Sequence, residues 1–236
     1  MMQCVVLAGG LATRMRPITD RVPKALIPVN GTPFVDLQLR WLGHQGVTDV
    51  VFCIAHLGEQ IRKFVGDGTQ WNVNVRYSDE GAKRLGTAGA LRLAAGSGLL
   101  ANRFLVTYGD SYLKVNVRDA FDQWTASGLD AFMSVLCNDD QWDSSNAEVR
   151  DGRVVRYEKG VSDPTLQFID YGLLGFRREL ILGLLPNESI DLADVHRSLA
   201  ASANLAAVVV ADRFFEIGSS VGLAELERHL SVTGDG

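Results

Sequence analysis

A positively charged loop near the start of the chain is the first stretch whose residue types could do chemistry. Arg14, Arg16, Arg21 and Lys24 supply four cations, and Asp20 is the only acid between them. Arginine can bind phosphate oxygens in a bidentate manner, and lysine binds them as a point charge. Because the whole chain carries a net charge of −5, this local cluster predicts a site for a small anion such as a phosphate.

Two glycines precede these cations. Gly9 and Gly10 follow the apolar run QCVVLA, and glycine allows backbone N–H groups to approach a polyphosphate closely. The loop spans about two dozen residues and is interrupted by Pro17, Pro23 and Pro28, and loops of this length are usually functional. It contains neither GxxxxGK[ST] nor GxGxxG, so it is not a P-loop or a dinucleotide fingerprint. The alternative interpretation is a solvated surface loop.

The elements that position this loop follow an alternating pattern. Short apolar runs alternate with helical patterns, which predicts βαβ units on a parallel sheet. Ligands of such sheets bind beyond the carboxyl ends of the strands, where this loop emerges. We predict strands at 3–8, 49–55, 73–78, 103–110, 130–136, 148–150, 153–159, 168–176 and 206–211, and helices at 33–46, 57–66, 87–96, 117–125, 192–201 and 221–230.

Composition indicates a globular protein. The 236 residues are 47% hydrophobic and 22% charged, and we predict a single domain over 1–236. The negative net charge argues against a nucleic acid partner. No apolar run approaches the length of a membrane span, so we predict a cytoplasmic protein without a membrane partner. Cys4, Cys53 and Cys137 lie in apolar runs and are predicted to be reduced core residues.

The segment LAGGLATRMRPITDRVPKALIPVNGTPF resembles the signature of sugar-phosphate nucleotidylyltransferases, roughly LAGGxGTRLxPxTxxxPKxxxPV. The chain looks most like short members acting on heptose, mannose or N-acetylmuramic acid 1-phosphates. The resemblance implies a Rossmann-like α/β fold of the nucleotide-diphospho-sugar transferase type, with a mostly parallel mixed sheet flanked by helices. Ala12 replaces the usual glycine of the signature, and we expect its backbone to adopt a conformation that a Cβ atom tolerates.

The resemblance also implies a set of nucleotide-binding residues. The glycine-rich turn holds the triphosphate, and the loop arginine grips its β and γ phosphates. The segment RLGTAGALRLA resembles the part that packs against the nucleobase and its sugar, although a plain helix start capped by its threonine would give the same pattern. The implied residues are Leu7, Ala8, Gly9, Gly10, Thr13, Arg14, Glu80, Gly86 and Thr87.

Catalysis is implied for Arg14, Lys24 and Asp110. LVTYGDSYL resembles the strand whose final Gly-Asp binds magnesium, and Mg²⁺ prefers oxygen ligands. RFFEIGSSVGLAEL resembles the closing D[IV]GTP segment, in which Glu216 takes the place of the second metal-binding acid. The resemblance therefore implies Mg²⁺ held by Asp110 and Glu216. The longer glutamate and the serines at 219 and 220 depart from the usual pattern.

The acceptor site is implied by two further matches. RYEKG resembles the Glu-Lys pair whose lysine holds the acceptor phosphate, and FIDYGLLGF resembles a strand that contacts the sugar. Asp170 replaces an asparagine found in many relatives, and glycine at 160 replaces proline. The implied acceptor-binding residues are Lys24, Gly109, Glu158, Lys159 and Asp170.

The reaction that these residues imply is in-line attack of an acceptor phosphate on the α-phosphorus of an NTP, with release of pyrophosphate. GTP or UTP is favoured as donor, CTP is a further candidate, and a sugar 1-phosphate is the acceptor. A homodimer is one candidate assembly. Two alternatives stay open, namely a cytidylyltransferase acting on a non-sugar alcohol phosphate and a non-catalytic subunit that binds nucleotide sugars.

Overall fold

The computed structural model describes residues 2–10, 12–138 and 141–233. Its strands are β1 (Gln3–Leu7), β2 (Pro28–Val29), β3 (Thr32–Pro33), β4 (Asp49–Ile54), β5 (Asn74–Asp79), β6 (Arg103–Tyr108), β7 (Ser111–Tyr112), β8 (Ala131–Cys137), β9 (Ala147–Arg150), β10 (Arg153–Tyr157), β11 (Phe168–Arg177), β12 (Leu205–Val210) and β13 (Phe215–Glu216). Its helices are α1 (Phe34–His44), α2 (Gly58–Val65), α3 (Gly86–Gly96), α4 (Val117–Ser127), α5 (Arg178–Leu182), α6 (Leu192–Ala201) and α7 (Ser220–Thr233). The predicted α/β class with a mostly parallel mixed sheet flanked by helices is confirmed.

Contacts divide the chain into two compact units. The first unit comprises Met1–Arg84, Thr107–Tyr112 and Phe214–Gly236, and the second comprises Leu85–Val106 and Leu113–Arg213. The expectation of one domain over the whole chain stays a prediction. Within the described part of the chain, no helix combines the length and the apolar character needed to cross a membrane.

The first unit is built on three parallel strands in the order β5-β4-β1. All six residues of β4 are buried, as expected for a central strand of a parallel sheet with both faces covered. A cluster of buried side chains in the same unit includes Phe34 of α1, Ile217 after β13 and Leu226 of α7. Burial of this cluster ties the segment after β13 to the start of α1.

The second unit contains a mixed sheet in the order β11-β8-β12-β10-β9. β8 pairs with β12 in parallel and with β11 in antiparallel fashion. The predicted hairpin is confirmed, because β9 and β10 pair antiparallel around residues 151 and 152. Asp191 caps α6 by accepting the N–H of Ala193 at 2.8 Å, which satisfies one of the unpaired donors of the first helical turn.

The loop between β1 and α1 is folded into short elements. Three 3-10 turns, Thr13–Met15, Ile18–Asp20 and Lys24–Leu26, are followed by the small hairpin of β2 and β3. The sequence did not predict these elements. Buried apolar side chains at Met15, Ala25 and Ile27 fix the turns, so the polar residues between them have defined positions.

Cys137 corrects one expectation. Cys4 and Cys53 are buried free cysteines, whereas Cys137 at the end of β8 is exposed. The apolar run FMSVLC ends the strand at this residue, and the strand leaves the core there. The prediction of a buried position was therefore wrong for Cys137 alone.

Ala12 also differs from expectation. It has φ 48° and ψ 43°, in the left-handed region that favours glycine. Its carbonyl oxygen accepts hydrogen bonds from the N–H of Met15 at 3.0 Å and from the hydroxyl of Thr19 at 2.9 Å. These bonds hold the backbone in the glycine-like conformation, so the expected adjustment to a conformation suited to a Cβ atom was wrong.

We expect Ala12→Gly to stabilise the protein. Left-handed geometry costs an alanine roughly 1–2 kcal/mol, and the greater freedom of glycine in the unfolded chain offsets roughly 0.4–1 kcal/mol of the gain. The net increase should be about 0.5–1 kcal/mol in the free energy of unfolding, measured by urea denaturation. Ala203→Gly is the matched control because Ala203 has φ 53°. A gain at Ala203 without one at Ala12 would contradict the assignment of strain to the loop.

Candidate active site

A short antiparallel pair places the two predicted metal ligands side by side in the first unit. Glu216 of β13 pairs with Ser111 of β7, and the N–H of Ile217 donates to the carbonyl oxygen of Asp110 at 3.0 Å. The backbone thus fixes Asp110 next to Glu216, although more than 100 residues, by their numbers, separate them in the sequence. The closing segment with glutamate in place of aspartate still reaches the strand end.

Three charged side chains surround Gly218. From the position that a Cβ atom at Gly218 would take, the Nζ atom of Lys24 lies at 3.6 Å. From the same point, Glu216 Oε2 lies at 3.8 Å and Asp110 Oδ2 at 4.0 Å. We name Lys24, Asp110 and Glu216 the charged cluster. The absence of a side chain at Gly218 leaves the space between them open.

Lys24 and Asp110 form a direct ion pair. The Nζ atom of Lys24 donates to Asp110 Oδ2 at 2.6 Å, and the side chains are only 18% and 25% exposed. A charge-assisted hydrogen bond in a partly buried place is stronger than one on the open surface. The structure therefore joins two of the three predicted catalytic residues.

The other cations of the loop divide into paired and unpaired residues. Arg16 Nε lies 3.1 Å from Asp20 Oδ1 in an exposed pair, which contributes little to stability. Arg14 and Arg21 make no ion pair with any residue that the structure describes, and both are exposed. Their charge is therefore available to an incoming anion. Leu11, in the same loop, lies outside the described residues.

Glu80 lies beside the glycine-rich turn. A Cβ atom at Gly9 would come within 2.8 Å of Glu80 Oε1 and 3.3 Å of the Cβ atom of Ala55. A side chain at position 9 would therefore crowd Glu80 and Ala55. Gly10 is exposed, and a Cβ atom there would meet no atom of the described residues within 4 Å. The structure brings Glu80 to the turn as predicted, and its contact with a nucleotide stays a prediction.

Three further predicted residues lie at or just after the ends of strands. The N–H of Gly109 donates to the carbonyl oxygen of Leu7 at 2.9 Å, and a Cβ atom at Gly109 would lie 3.1 Å from the Cβ atom of Ala8. Glycine thus allows the chain before Asp110 to pack closely against the end of β1. Leu7, Ala8 and Gly109 therefore meet next to the charged cluster's aspartate.

The start of α3, in the second unit, is already engaged by the protein. Gly86 has φ 70°, and a Cβ atom there would lie 2.5 Å from the carbonyl oxygen of Ile190. That carbonyl accepts the N–H groups of Ala88 at 3.0 Å and of Gly89 at 3.2 Å. The free amides of this helix start are thus fewer than the sequence indicates, and nucleotide contacts by the residues at 86 and 87 stay predictions.

Thr87 does not cap its own helix. Its hydroxyl oxygen accepts the N–H of Leu192 at 2.7 Å, the first residue of α6. Among the residues that the structure describes, no side chain caps the start of α3 at Leu85. The interpretation of Thr87 as a plain helix cap is therefore wrong, and its hydroxyl proton can still be donated to another group.

Asp170 lies in a polar pocket on β11. Its N–H donates to Asn146 Oδ1 at 2.9 Å, its Oδ1 atom accepts the N–H of Gly172 at 3.0 Å, and the Tyr157 hydroxyl lies 3.5 Å from Oδ2. Loss of solvent raises the pKa of Asp170, and the charge of Lys159 acts in the opposite direction. The carboxylate is thus held in place beside a lysine.

Glu158 and Lys159 point to different partners. Glu158 Oε2 lies 3.2 Å from Arg197 Nε, and Arg197 also binds Asp194 at 2.8 Å. The Lys159 ammonium is exposed and lies 6.0 Å from the centre of the Tyr157 ring. The lysine of the predicted acceptor-binding pair therefore faces solvent, while its glutamate anchors an arginine of α6.

The sequence missed several residues of these sites. Tyr157, Asn146 and Arg197 contact predicted residues. Tyr157 lies in the segment RYEKG but was not singled out there, and no motif marked Asn146 or Arg197. Gly218 carries a signal only as part of the segment EIGSS, because its role depends on which side chains surround it.

A fully buried histidine lies next to the acceptor residues. The His196 ring is 0% exposed, stacks on Phe176 and meets the edge of Tyr157. Neither ring nitrogen has a hydrogen-bond partner among the described residues. Burial, and after it the charge of Lys159, lowers the pKa of His196 to about 3. The imidazole is therefore neutral in the folded protein.

His196 should make the protein acid-sensitive. Its pKa is lower in the folded than in the unfolded protein. Its contribution to stability is therefore fully present above the unfolded value of about 6.5 and is lost as the pH falls toward about 3. His196→Phe keeps an aromatic ring at this position and removes the group that takes up a proton. Below pH 6, the free energy of unfolding of wild type should fall by about 1.4 kcal/mol per pH unit more than that of the variant, measured by urea denaturation. Exposed His56→Gln is the control, and equal slopes for wild type and His196→Phe would contradict the prediction.

Comparison with known proteins identifies the family of this chain. The family model described as Nucleotidyl transferase matches residues 3–215. The chain belongs to the nucleotidyl transferase family. An N-acetylmuramate alpha-1-phosphate uridylyltransferase of Neisseria meningitidis is 40% identical over 134 residues, which is 56% of this chain and 56% of that protein.

Two further relatives extend the comparison of this nucleotidyl transferase. A D-glycero-alpha-D-manno-heptose 1-phosphate guanylyltransferase of Aneurinibacillus thermoaerophilus is 26% identical over 67% of this chain and 68% of its own length. The crystal structure of HddC from Yersinia pseudotuberculosis with GMP-PN superposes with a TM-score of 0.81 at 22% identity, covering 98% of this chain and 100% of that one. This last similarity establishes the fold, and the matches to the first curated relatives span only about half of their length or less.

Proposed function

We propose that this nucleotidyl transferase moves a nucleoside monophosphate from an NTP to a sugar 1-phosphate and releases pyrophosphate. The observation that carries the proposal is the charged cluster, in which Lys24, Asp110 and Glu216 share one open space. Membership of the family and the activities named for the two curated relatives support it.

Mg²⁺ is the cofactor we propose. Asp110 and Glu216 each place an oxygen within 4.0 Å of one point, and Mg²⁺ in proteins usually takes one or two carboxylates and completes its shell with water and phosphate. The residues present therefore fit this ion. Asp110 and Glu216 would hold it, and when bound it would neutralise charge on the phosphate oxygens.

The chain's own cations have complementary tasks in the proposed reaction. Arg14, which is exposed and has no ion-pair partner among the described residues, grips the triphosphate, and Lys24 neutralises phosphate charge near the reacting centre. Lys159 holds the acceptor phosphate. An oxygen of that phosphate attacks the α-phosphorus in line, the bond to the bridging oxygen breaks, and pyrophosphate leaves. Because the acceptor is already an anion, positioning and charge neutralisation suffice without a general base.

GTP and UTP are the donors we favour, with CTP as a further candidate. The curated relatives named above are a uridylyltransferase and a guanylyltransferase, and HddC was solved with GMP-PN. Their acceptors are N-acetylmuramate and heptose 1-phosphates. A sugar 1-phosphate is accordingly the acceptor class we propose.

The test is a matrix of donors and acceptors. Four NTPs are combined with mannose 1-phosphate, N-acetylmuramate 1-phosphate, a heptose 1-phosphate and phosphocholine in the presence of Mg²⁺, and pyrophosphate release is measured. Turnover confined to a sugar 1-phosphate supports the proposal. Turnover only with CTP and phosphocholine would establish the cytidylyltransferase alternative, and nucleotide binding without any pyrophosphate would favour the non-catalytic alternative.

A further inference from the structure

The Lys24–Asp110 ion pair has a consequence for the order in which ligands bind. We propose that in the nucleotide-free protein Lys24 occupies the cation position on Asp110 that the divalent metal needs, so that metal and nucleotide bind with positive coupling. The inference rests on the proposed function for the identity of its ligands. It concerns the protein before any reaction.

Geometry makes the lysine and the metal competitors. Lys24 Nζ contacts Asp110 Oδ2 at 2.6 Å, whereas Mg²⁺ binds carboxylate oxygens at about 2.0–2.1 Å. A dication bound to the same carboxylate would lie very close to the ammonium group, in a partly buried place where charges are poorly screened. Glu216 Oε2 lies near the same space. One cation therefore already occupies Asp110, the first of the two carboxylates.

The protein alone offers few compensating ligands. Across the described ranges, no group of three or more His, Cys, Asp or Glu side chains is placed to hold a metal ion. A metal at Asp110 and Glu216 must therefore take its other ligands from water or from a substrate. Metal binding without nucleotide should be weak, because the ion gains two carboxylates at most and must displace Lys24.

A triphosphate removes both obstacles. Its oxygens complete the metal's coordination shell, and they also give the Lys24 ammonium a new anionic partner. Binding of either ligand then favours binding of the other, and the coupling factor must be the same in both directions.

The movement required of Lys24 is small. Its 3-10 turn is anchored by buried Ala25 and Ile27, and the N–H of Ile27 donates to the carbonyl oxygen of Lys24 at 3.0 Å. The backbone is fixed, but the flexible four-carbon side chain can swing from the carboxylate to a phosphate. The release thus needs only a change of side-chain rotamer.

The test is Mn²⁺ binding, followed by the electron paramagnetic resonance signal of the free ion. In the absence of nucleotide, Lys24→Met should bind Mn²⁺ at least tenfold more tightly than wild type. A non-hydrolysable GTP or UTP analogue, whichever the protein binds, should raise the Mn²⁺ affinity of wild type at least tenfold and that of Lys24→Met much less. Lys114→Met is the control, because Lys114 Nζ pairs only loosely with Asp212 at 3.9 Å; it should leave Mn²⁺ affinity unchanged.

Two further variants separate charge from packing. Lys24→Arg keeps a cation beside Asp110 and should keep weak Mn²⁺ binding, whereas Lys24→Gln should behave like Lys24→Met and serves in its place if that variant fails to fold. Equal Mn²⁺ affinity in wild type and in the neutral variants would overturn the inference. This result is distinguishable from failure of the proposed function, which would appear as absence of pyrophosphate release by wild type with every donor and acceptor.

Discussion

Asp110→Asn should lower the rate of pyrophosphate release by about a thousandfold or more, because it removes the negative charge that anchors the metal at the reacting phosphates. Asparagine has nearly the same shape, so the backbone contact between Asp110 and Ile217 is kept. The amide is a weaker ligand for Mg²⁺ than the carboxylate, and Lys24 loses its ion-pair partner. The rate is measured at saturating NTP and sugar 1-phosphate with Mg²⁺ present.

This experiment needs one control for folding and one for the loss of an ion-paired carboxylate. The thermal unfolding midpoint should show that Asp110→Asn remains folded at the assay temperature. Asp130→Asn is the matched control, since Asp130 also forms an ion pair, with Arg177 at 3.0 Å, but has no role in the proposed reaction. Wild-type turnover in Asp110→Asn would remove the aspartate from the proposed metal site, and a comparable loss in Asp130→Asn would point to general destabilisation.

Much of the fold was predictable from local pattern. The run DVVFCIA formed the strand Asp49–Ile54, in which every residue is buried, because a continuous short apolar run suits a strand covered on both faces. The helix starting near residue 33 ends at His44, and Gly46 follows with φ 80°, as a glycine after a helix end should. Such features depend on a few neighbouring residues, so sequence alone determines them well.

Features that depend on distant partners were not predictable. The pairing of Ser111 with Glu216 joins two-residue strands, which are too short to show any hydrophobic period. The 3-10 turns of the loop depend on burial of Met15, Ala25 and Ile27. Their apolar character was visible in the sequence, but the core that receives them was not.

The candidate site, too, was predictable in part from the sequence. The motifs singled out Lys24, Asp110 and Glu216, and the structure places all three near Gly218. Sequence could not show that Lys24 already binds Asp110, because a motif gives residue types without their state of pairing. It also could not show that the carbonyl of Ile190 takes up amides at the start of α3.

Pairing also decides which loop cation should matter most for the transition state. Arg16 is bound to Asp20 and Lys24 to Asp110, so each brings its positive charge together with a negative one. Arg14 and Arg21 have no acidic partner among the described residues, yet only Arg14 lies at the arginine position of the family signature. A comparison of these two residues therefore separates a specific phosphate contact from the general field of the loop.

Arg14→Ala should lower kcat by about a hundredfold to a thousandfold, because it removes a donor that stabilises charge developing on the leaving pyrophosphate. The thermal unfolding midpoint should hardly change, since the side chain is exposed and has no partner to lose within the described structure. Arg21→Ala removes the same charge from the same loop and should change kcat by less than about threefold, an effect expected from screened surface charge. Equal losses in the two variants would mean that the loop acts through its net charge, and wild-type kcat in Arg14→Ala would exclude a catalytic contact by this residue.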